Sequence, residues 1–239
     1  MQIYTLEMKK FFQEFANSFL SLVYPQACLT CNDVLVKGEE IFCTNCLLDF
    51  PFTAYESWQK NILYDQLSLR MPNLSGANSL FYFRKKSKVQ KILHACKYNN
   101  QPEIANRLGV LMYTHWQMQL IEMNIDMIIP VPLHVSRKRQ RGYNQSEELA
   151  KGFEPSGITL TCGNLVRIRK TKTQTKQNRL SRWLNMQTVF ALREPDAIKG
   201  KIILLLDDVI TTGATIEACY EVLKEGGAKK IFVAGLARA

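Results

Sequence analysis

The run Ile202-Ile-Leu-Leu-Leu206, followed by Asp207-Asp208 and then by Val-Ile-Thr211-Thr212-Gly213-Ala214-Thr215, constrains the fold more than any other stretch of this chain. An unbroken aliphatic run has no polar side, so it suits a strand covered on both faces, as in the middle of a parallel sheet. Carboxylates at the end of such a strand stand where open α/β sheets take up ligands. Small residues over 211–215 let backbone N–H groups converge on an anion at the start of the next helix. Thr211, Thr212 and Thr215 add hydroxyl donors, Gly213 and Ala214 leave room for the anion, and Asp207 and Asp208 can accept from a diol. A phosphorylated sugar needs both features side by side. The competing reading is a buried strand before an N-capped helix, for which Asp-Asp and Thr-Thr-Gly are adequate chemistry.

At 239 residues and 46% apolar content, the chain has room for one α/β domain and a small accessory module. Its net charge of +10 is localised: residues 137–193 hold thirteen Lys/Arg against three Asp/Glu, and the rest of the chain is neutral. Concentration in one segment points to a polyanionic ligand, either pyrophosphate or nucleic acid. Phe11, Phe12, Phe15, Phe19 and Leu22 recur at helical spacing, which predicts an amphipathic docking helix over residues 1–23. No segment has the apolar length of a membrane span. Seven cysteines, four of them clustered, do not form an extracellular disulfide pattern, so a reducing, cytoplasmic location is expected.

Cys28-x2-Cys31 and Cys43-x2-Cys46, eleven residues apart, supply two pairs of thiolates for a tetrahedral structural zinc within a module at 24–50. Four thiolates leave no open position, so the zinc is not expected to be catalytic. Val34-Leu35-Val36 and Ile41-Phe42 would form a hairpin around the turn at 37–39. The rival reading is a pair of redox dithiols. Cys96, Cys162 and Cys219 read as packed free thiols.

Residues 51–79, with Pro51, Pro72, Asn73, Ser75 and Gly76 as breakers, read as a connector. The main domain is predicted over 80–239, with strands at 80–83, 126–131 and 230–234 and helices at 86–97 and ahead of Gly226-Gly227. The second strand runs into Pro132-Leu133-His134 and a cationic loop, Arg137-Lys138-Arg139-Gln140-Arg141-Gly142-Tyr143-Asn144. This repeats the strand–loop–helix plan and offers Arg137 and Arg141 to a pyrophosphate. The polar, basic stretch 167–185 reads as a mobile binding loop that offers Arg169 and Lys172 to the same anion, or as a plain surface loop. Arg139, Tyr143, Lys176, Arg179, Arg182 and Trp183 interleave cations and aromatics in the way that single-stranded nucleic acid requires. Six basic residues and no acidic one between Arg84 and Lys97 read as a solvated helix face, with a second anion contact as the alternative. His94 and His115 read as packed or capping.

The 202–215 stretch resembles the signature of type I phosphoribosyltransferases, which use 5-phosphoribosyl-1-pyrophosphate (PRPP). Over nearly the whole chain the combination resembles the ComF family of competence proteins. The shared positions are Cys28, Cys31, Cys43 and Cys46, then Pro130-Val-Pro132-Leu-His134 and Arg141-Gly-Tyr-Asn-Gln145. Thr173-Gln174-Thr175, Arg182, Asn185 and Asp207 through Thr215 complete the set. Gln174 and Gln177 both answer to the family's loop glutamine. The resemblance implies an α/β, mostly parallel phosphoribosyltransferase-like sheet behind a four-cysteine zinc module. It implies a role in DNA uptake through single-stranded DNA, alongside DNA-uptake or recombination proteins, with a PRPP-type pocket. In the alternative, an active transferase, Asp207 and Asp208 hold the ribose diol and Arg141 faces the leaving pyrophosphate. Mg²⁺ then arrives with PRPP, and the acceptor is not readable.

Overall fold

The computed structural model describes residues 26–98, 101–168 and 189–239. The predicted N-terminal helix and the greater part of the basic stretch, including Arg169, Lys172, Gln174, Lys176, Gln177, Arg179, Arg182, Trp183 and Asn185, lie outside the described residues. The chain divides into two compact units, Met1–Phe50 and Pro51–Ala239.

Turns and one short helix, α1 (Thr44–Leu48), make up the described part of the first unit. Cys28 N–H donates to the Asp33 carbonyl at 2.7 Å, Ala27 bridges Val34, and Leu29 N–H donates to the Ile41 carbonyl at 3.0 Å. The expected hairpin of 34–36 against 41–42 does not form. Its turn exists, with Gly38 at φ 97° and Glu39 N–H donating to the Val36 carbonyl. The Glu39 carboxylate, however, accepts from Val36 N–H at 3.0 Å and from Thr44 N–H and Oγ1 at 2.6 and 2.7 Å. The returning chain is therefore tied to the start of α1 rather than laid along 34–36.

The second unit is built on a five-stranded sheet in the order β1-β7-β6-β2-β3. The strands are β1 (Gly76–Tyr82), β2 (Met127–Pro130), β3 (Thr159–Leu160), β6 (Ile202–Ile210) and β7 (Lys230–Arg238), and every pairing is parallel. A small antiparallel pair, β4 (Leu165–Arg167) and β5 (Phe190–Leu192), stands apart from it. The helices are α2 (Ile62–Ser68), α3 (Lys88–Tyr98), α4 (Pro102–Glu122), α5 (Val135–Arg141), α6 (Gln145–Lys151) and α7 (Ala214–Glu225). Ile203 and Leu205 pack in one cluster with Ile216, Cys219 and Leu223 of α7. Leu204 and Leu206 are equally buried and, by the two-residue period of a strand, face the opposite side. The aliphatic run is thus central and covered on both faces, as its composition requires.

The stretch read as a connector belongs to this unit. Leu63, Leu67, Met71 and Leu74 are buried in the same cluster as β6 and α7, and β1 begins at Gly76 rather than at Leu80. Breakers at 72–76 mark one turn between α2 and β1, not a linker. Helices α4 and α6 pack closely because neither has a side chain where they cross. A Cβ on Gly109 would stand 1.9 Å from the Leu149 carbonyl oxygen, and one on Gly152 would stand 2.4 Å from that of Asn106. This contact sets where the carboxyl end of α6 lies against α4.

Candidate functional site

Strand β2 leads on to β3, at one edge, while β6 leads on to β7, on the other side. The order therefore reverses between β2 and β6, and ligands in open α/β sheets bind beyond the carboxyl ends of such a pair. The β2 ladder stops at Pro130 opposite Leu206, whereas β6 stays paired with β7 from Ile202 to Ile210. Asp207 and Asp208 are therefore inside a strand on one side and beyond a ladder on the other. They were expected to follow the strand as a matched pair. Because β6 continues, they alternate in direction instead.

Asp207 is 9% exposed. Its Oδ1 accepts from Ser146 Oγ at 3.0 Å and from Asp208 N–H at 2.9 Å. Burial, with the adjacent Asp208 charge, pushes its carboxyl up to about 8, against the pull of those two donors and of Lys97. Asp208 is half-buried, and its Oδ2 lies 2.8 Å from Lys97 Nζ at the end of α3. Of the two acids, Asp208 is the one more open to a ligand. Two buried thiols flank the pair: burial drives Cys96 up to about 12 and Cys219 well above the ordinary range, so both stay protonated.

Beyond β6, Thr211, Thr212 and Thr215 are exposed and Gly213 and Ala214 lie between them. Gly213 has φ 78°, and a Cβ there would stand 2.5 Å from Leu67 Cδ2. Only glycine fits this turn into α7. Arg70 braces the loop from outside, donating to the Thr212 carbonyl and pairing with Glu217 at 3.1 Å. Seven residues after β2 would make a loop by composition, but Val135–Arg141 is a short helix without a buried residue. His134 caps it by accepting from Ser136 N–H at 3.2 Å.

Residues 141–146 each have a defined task. Gly142, at φ 82°, ends α5. Asn144 caps α6 by accepting from Ser146 N–H at 3.2 Å, and its amide donates to the Val131 carbonyl at 3.0 Å. Gln145 Oε1 accepts from Arg141 at 2.9 Å, and Ser146 reaches Asp207. Tyr143 is the correction in this group: it is 8% exposed and its hydroxyl donates to the Cys96 carbonyl at 2.6 Å. A ring packed in this way offers no face to a nucleobase, so Tyr143 leaves the nucleic-acid set. Arg137 and Arg139 are exposed, and with Lys97, Tyr98 and Arg141 they line a cavity of about 550 Å³.

Sequence reasoning missed Lys97, Ser146, Arg70 and Arg167. Lys97 carried a signal, since it closes the basic run that was read mainly as a solvated face. Arg167, half-buried, is held below the usual arginine range by burial and by the Arg137 charge. Nothing in its sequence context announces that position.

In the first unit, Cys28, Cys31, Cys43 and Cys46 bring their Sγ atoms within 4.8 Å of one another. Zinc–sulfur bonds of about 2.3 Å in a tetrahedron require sulfur separations of about 3.8 Å, and Cys31 and Cys43 stand at 3.6 Å. The donor set fits a metal ion such as zinc. Although burial opposes it, hydrogen bonds from Thr30 and from backbone N–H groups bring the Cys28 thiol down to about 5, while the neighbouring Cys31 and Cys43 are raised, so the four do not ionise alike.

A phosphoribosyl transferase domain model matches residues 98–239. Competence protein F of Haemophilus influenzae is 34% identical over 158 residues, which cover 62% of this chain and 67% of that protein. DNA utilization protein YhgH of Salmonella typhi is 30% identical over 154 residues, covering 62% and 66%. The chain thus spans about two thirds of the length of these relatives. Competence protein ComFC of Streptococcus pneumoniae is 36% identical over 112 residues, covering 46% and 47%. Among solved structures, an adenine phosphoribosyltransferase aligns with a TM-score of 0.40 and 15% identity, covering 63% of this chain and 75% of that one. Among the described residues, no helix is long and apolar enough to cross a membrane.

Proposed function

Since the chain belongs to the phosphoribosyl transferase domain family, and within it to the ComF proteins, we propose that it acts in DNA uptake during natural transformation by binding single-stranded DNA, and that its sheet unit carries a pocket for a PRPP-type sugar phosphate. The names of the relatives, competence protein and DNA utilization protein, support the role in DNA uptake. The junction of β6 and α7 supports the pocket. There, a half-buried carboxylate and a turn with three exposed threonines follow one another at the reversal of strand order.

In this reading the turn at 211–215 takes the 5′-phosphate through backbone N–H groups and the three hydroxyls. Asp208 accepts from the ribose diol. Asp207, buried on Ser146, positions the strand end and does not reach the sugar. Zinc, held by the four cysteines, has a structural role. DNA contacts fall to the exposed cations, Arg139 among the described residues and Lys176, Arg179, Arg182 and Trp183 beyond them. Cytoplasmic placement follows from the reduced cysteines that the zinc requires.

The cationic cavity beside Asp208 favours a second reading, an active phosphoribosyltransferase. Arg137 and Arg141, with Arg169 and Lys172, would then stabilise departing pyrophosphate, which is mainly electrostatic and positional catalysis. Mg²⁺ would arrive with the pyrophosphate, since it prefers substrate phosphates to an all-protein cage.

The test is titration with PRPP and Mg²⁺, with and without oligothymidylate, on the wild type and on Asp207→Asn/Asp208→Asn. The proposal predicts PRPP binding that the double variant loses. It also predicts DNA binding that weakens steeply with salt and survives the substitutions. Absence of PRPP binding removes the pocket, and salt-insensitive or absent DNA binding removes the other half. Pyrophosphate release from PRPP with some acceptor would favour the enzyme.

A further inference from the structure

Helix α5 carries four cations, and they are not equivalent. Lys138 turns onto Glu147 at 2.7 Å. Among the described residues no carboxylate stands within ion-pair distance of Arg137, Arg139 or Arg141. These three, with Lys97 and Tyr98, line the 550 Å³ cavity, a volume within the roughly 300–1,000 Å³ of small-ligand pockets. Arg141 is aimed by neutral groups, the Gln145 amide oxygen at 2.9 Å and the Tyr98 ring at 6.0 Å. Gln145 Nε2, next to that anchor, is buried without a hydrogen-bond partner but does not line the cavity. The three arginines and Lys97 make the cavity strongly cationic, which calls for an anion.

Lys97 joins the cavity to the acidic pair. Lys97 lines the cavity and its ammonium sits on Asp208, with side-chain exposures of 23% and 18%. A lysine is a point charge on a flexible stem, so a phosphate in the cavity and Asp208 compete for one ammonium. We propose that Lys97 is a positioning residue shared by the two, so that a phosphate anion in the cavity draws it away and releases the Asp208 carboxylate. This deepens the sugar-phosphate reading, on which its purpose rests, because Asp208 becomes free for a diol only when the anion half of the ligand is in place. A partly exposed ion pair is worth at most about fivefold in an equilibrium constant. A phosphate among three arginines can overcome that.

The anion could be pyrophosphate or the phosphodiester of DNA, and both are tested as probes without any sugar phosphate. Affinities for inorganic pyrophosphate and for oligothymidylate are measured by calorimetry on the full-length wild type, Lys97→Met, Asp208→Asn and the double variant, each checked for native circular dichroism. The proposal predicts that Asp208→Asn tightens binding about threefold to fivefold, because Lys97 no longer has to leave a partner. It predicts that Lys97→Met weakens binding and that Asp208→Asn then adds nothing in its background. A gain confined to one probe identifies the anion that the cavity takes. An equal gain in the Lys97→Met background shows only long-range charge and overturns the proposal, as does failure of both probes to bind or to respond to Asp208→Asn. Failure of ribose 5-phosphate to bind would instead sink the sugar-phosphate reading and leave this cycle intact.

Discussion

The four-cysteine unit and the sheet unit are held by different physics. In the first, the described buried apolar side chains are two phenylalanines, Phe42 and Phe50, ring centroids 4.7 Å apart, and three of the cysteines themselves. So small a core cannot offset the conformational entropy of the loops around it. In the second, aliphatics from β6 and β7, the helices and the stretch 63–74 form one continuous cluster. With a metal on its four cysteines the first unit would draw its fold from a ligand, whereas the second can use its fold to place unpaired charges around one. A buried acid, a half-buried acid and a cationic cavity are tolerable only where the core supplies stability in excess.

Removal of the metal should give the largest effect. With zinc on the four cysteines, a chelator should remove about 10–16 kcal/mol of binding free energy, the range of structural zinc sites, and Cys46→Ser a part of it. Amide spectra of residues 26–50 should collapse while those of the sheet unit stay dispersed; persistence of the first set would break the comparison. Leu205→Ala should do the reverse, lowering the urea stability of the sheet unit by about 2–5 kcal/mol with metal content unchanged.

Asp207→Asn tests whether the core tolerates a charge. The folded carboxyl stands at about 8 against about 3.9 in an unfolded chain. Wild-type stability should therefore decline as pH rises from about 4 to about 8. The amide variant should gain on the order of a few kcal/mol over wild type at pH 9 and nothing below pH 4. Denaturation midpoints at both pH values check this, and a pH-independent difference would contradict it. Arg70→Ala should give the smallest effect, about 1 kcal/mol or less for a partly exposed pair, read as faster amide exchange over 211–215.

What could be read from sequence follows the same division. Ile202–Leu206 could be placed at once as a central strand, because a run with no polar side has only one environment. The cysteines could be grouped because thiolate chemistry depends on spacing. Two things were hidden. The opposed directions of Asp207 and Asp208 depend on how far β6 remains paired with β7, and pairing length is a tertiary property. Residues 62–71 looked like a linker because flanking prolines and glycines mask a short helix whose Leu63 and Leu67 pack into a core assembled by distant strands. Lys97 was hidden for the same reason, since an ion pair to a residue on another strand leaves no periodic trace. Tyr143 looked like a stacking surface because an aromatic among arginines has the same sequence signature buried or exposed.

The central claim is that the turn between β6 and α7 grips the phosphate of a pentose. Backbone amide chemical shifts measured during titration with ribose 5-phosphate test it directly. The account predicts the largest changes at Thr212 through Thr215, together with weaker binding in Asp208→Asn. Binding without changes at those amides, or no binding at all, would contradict it.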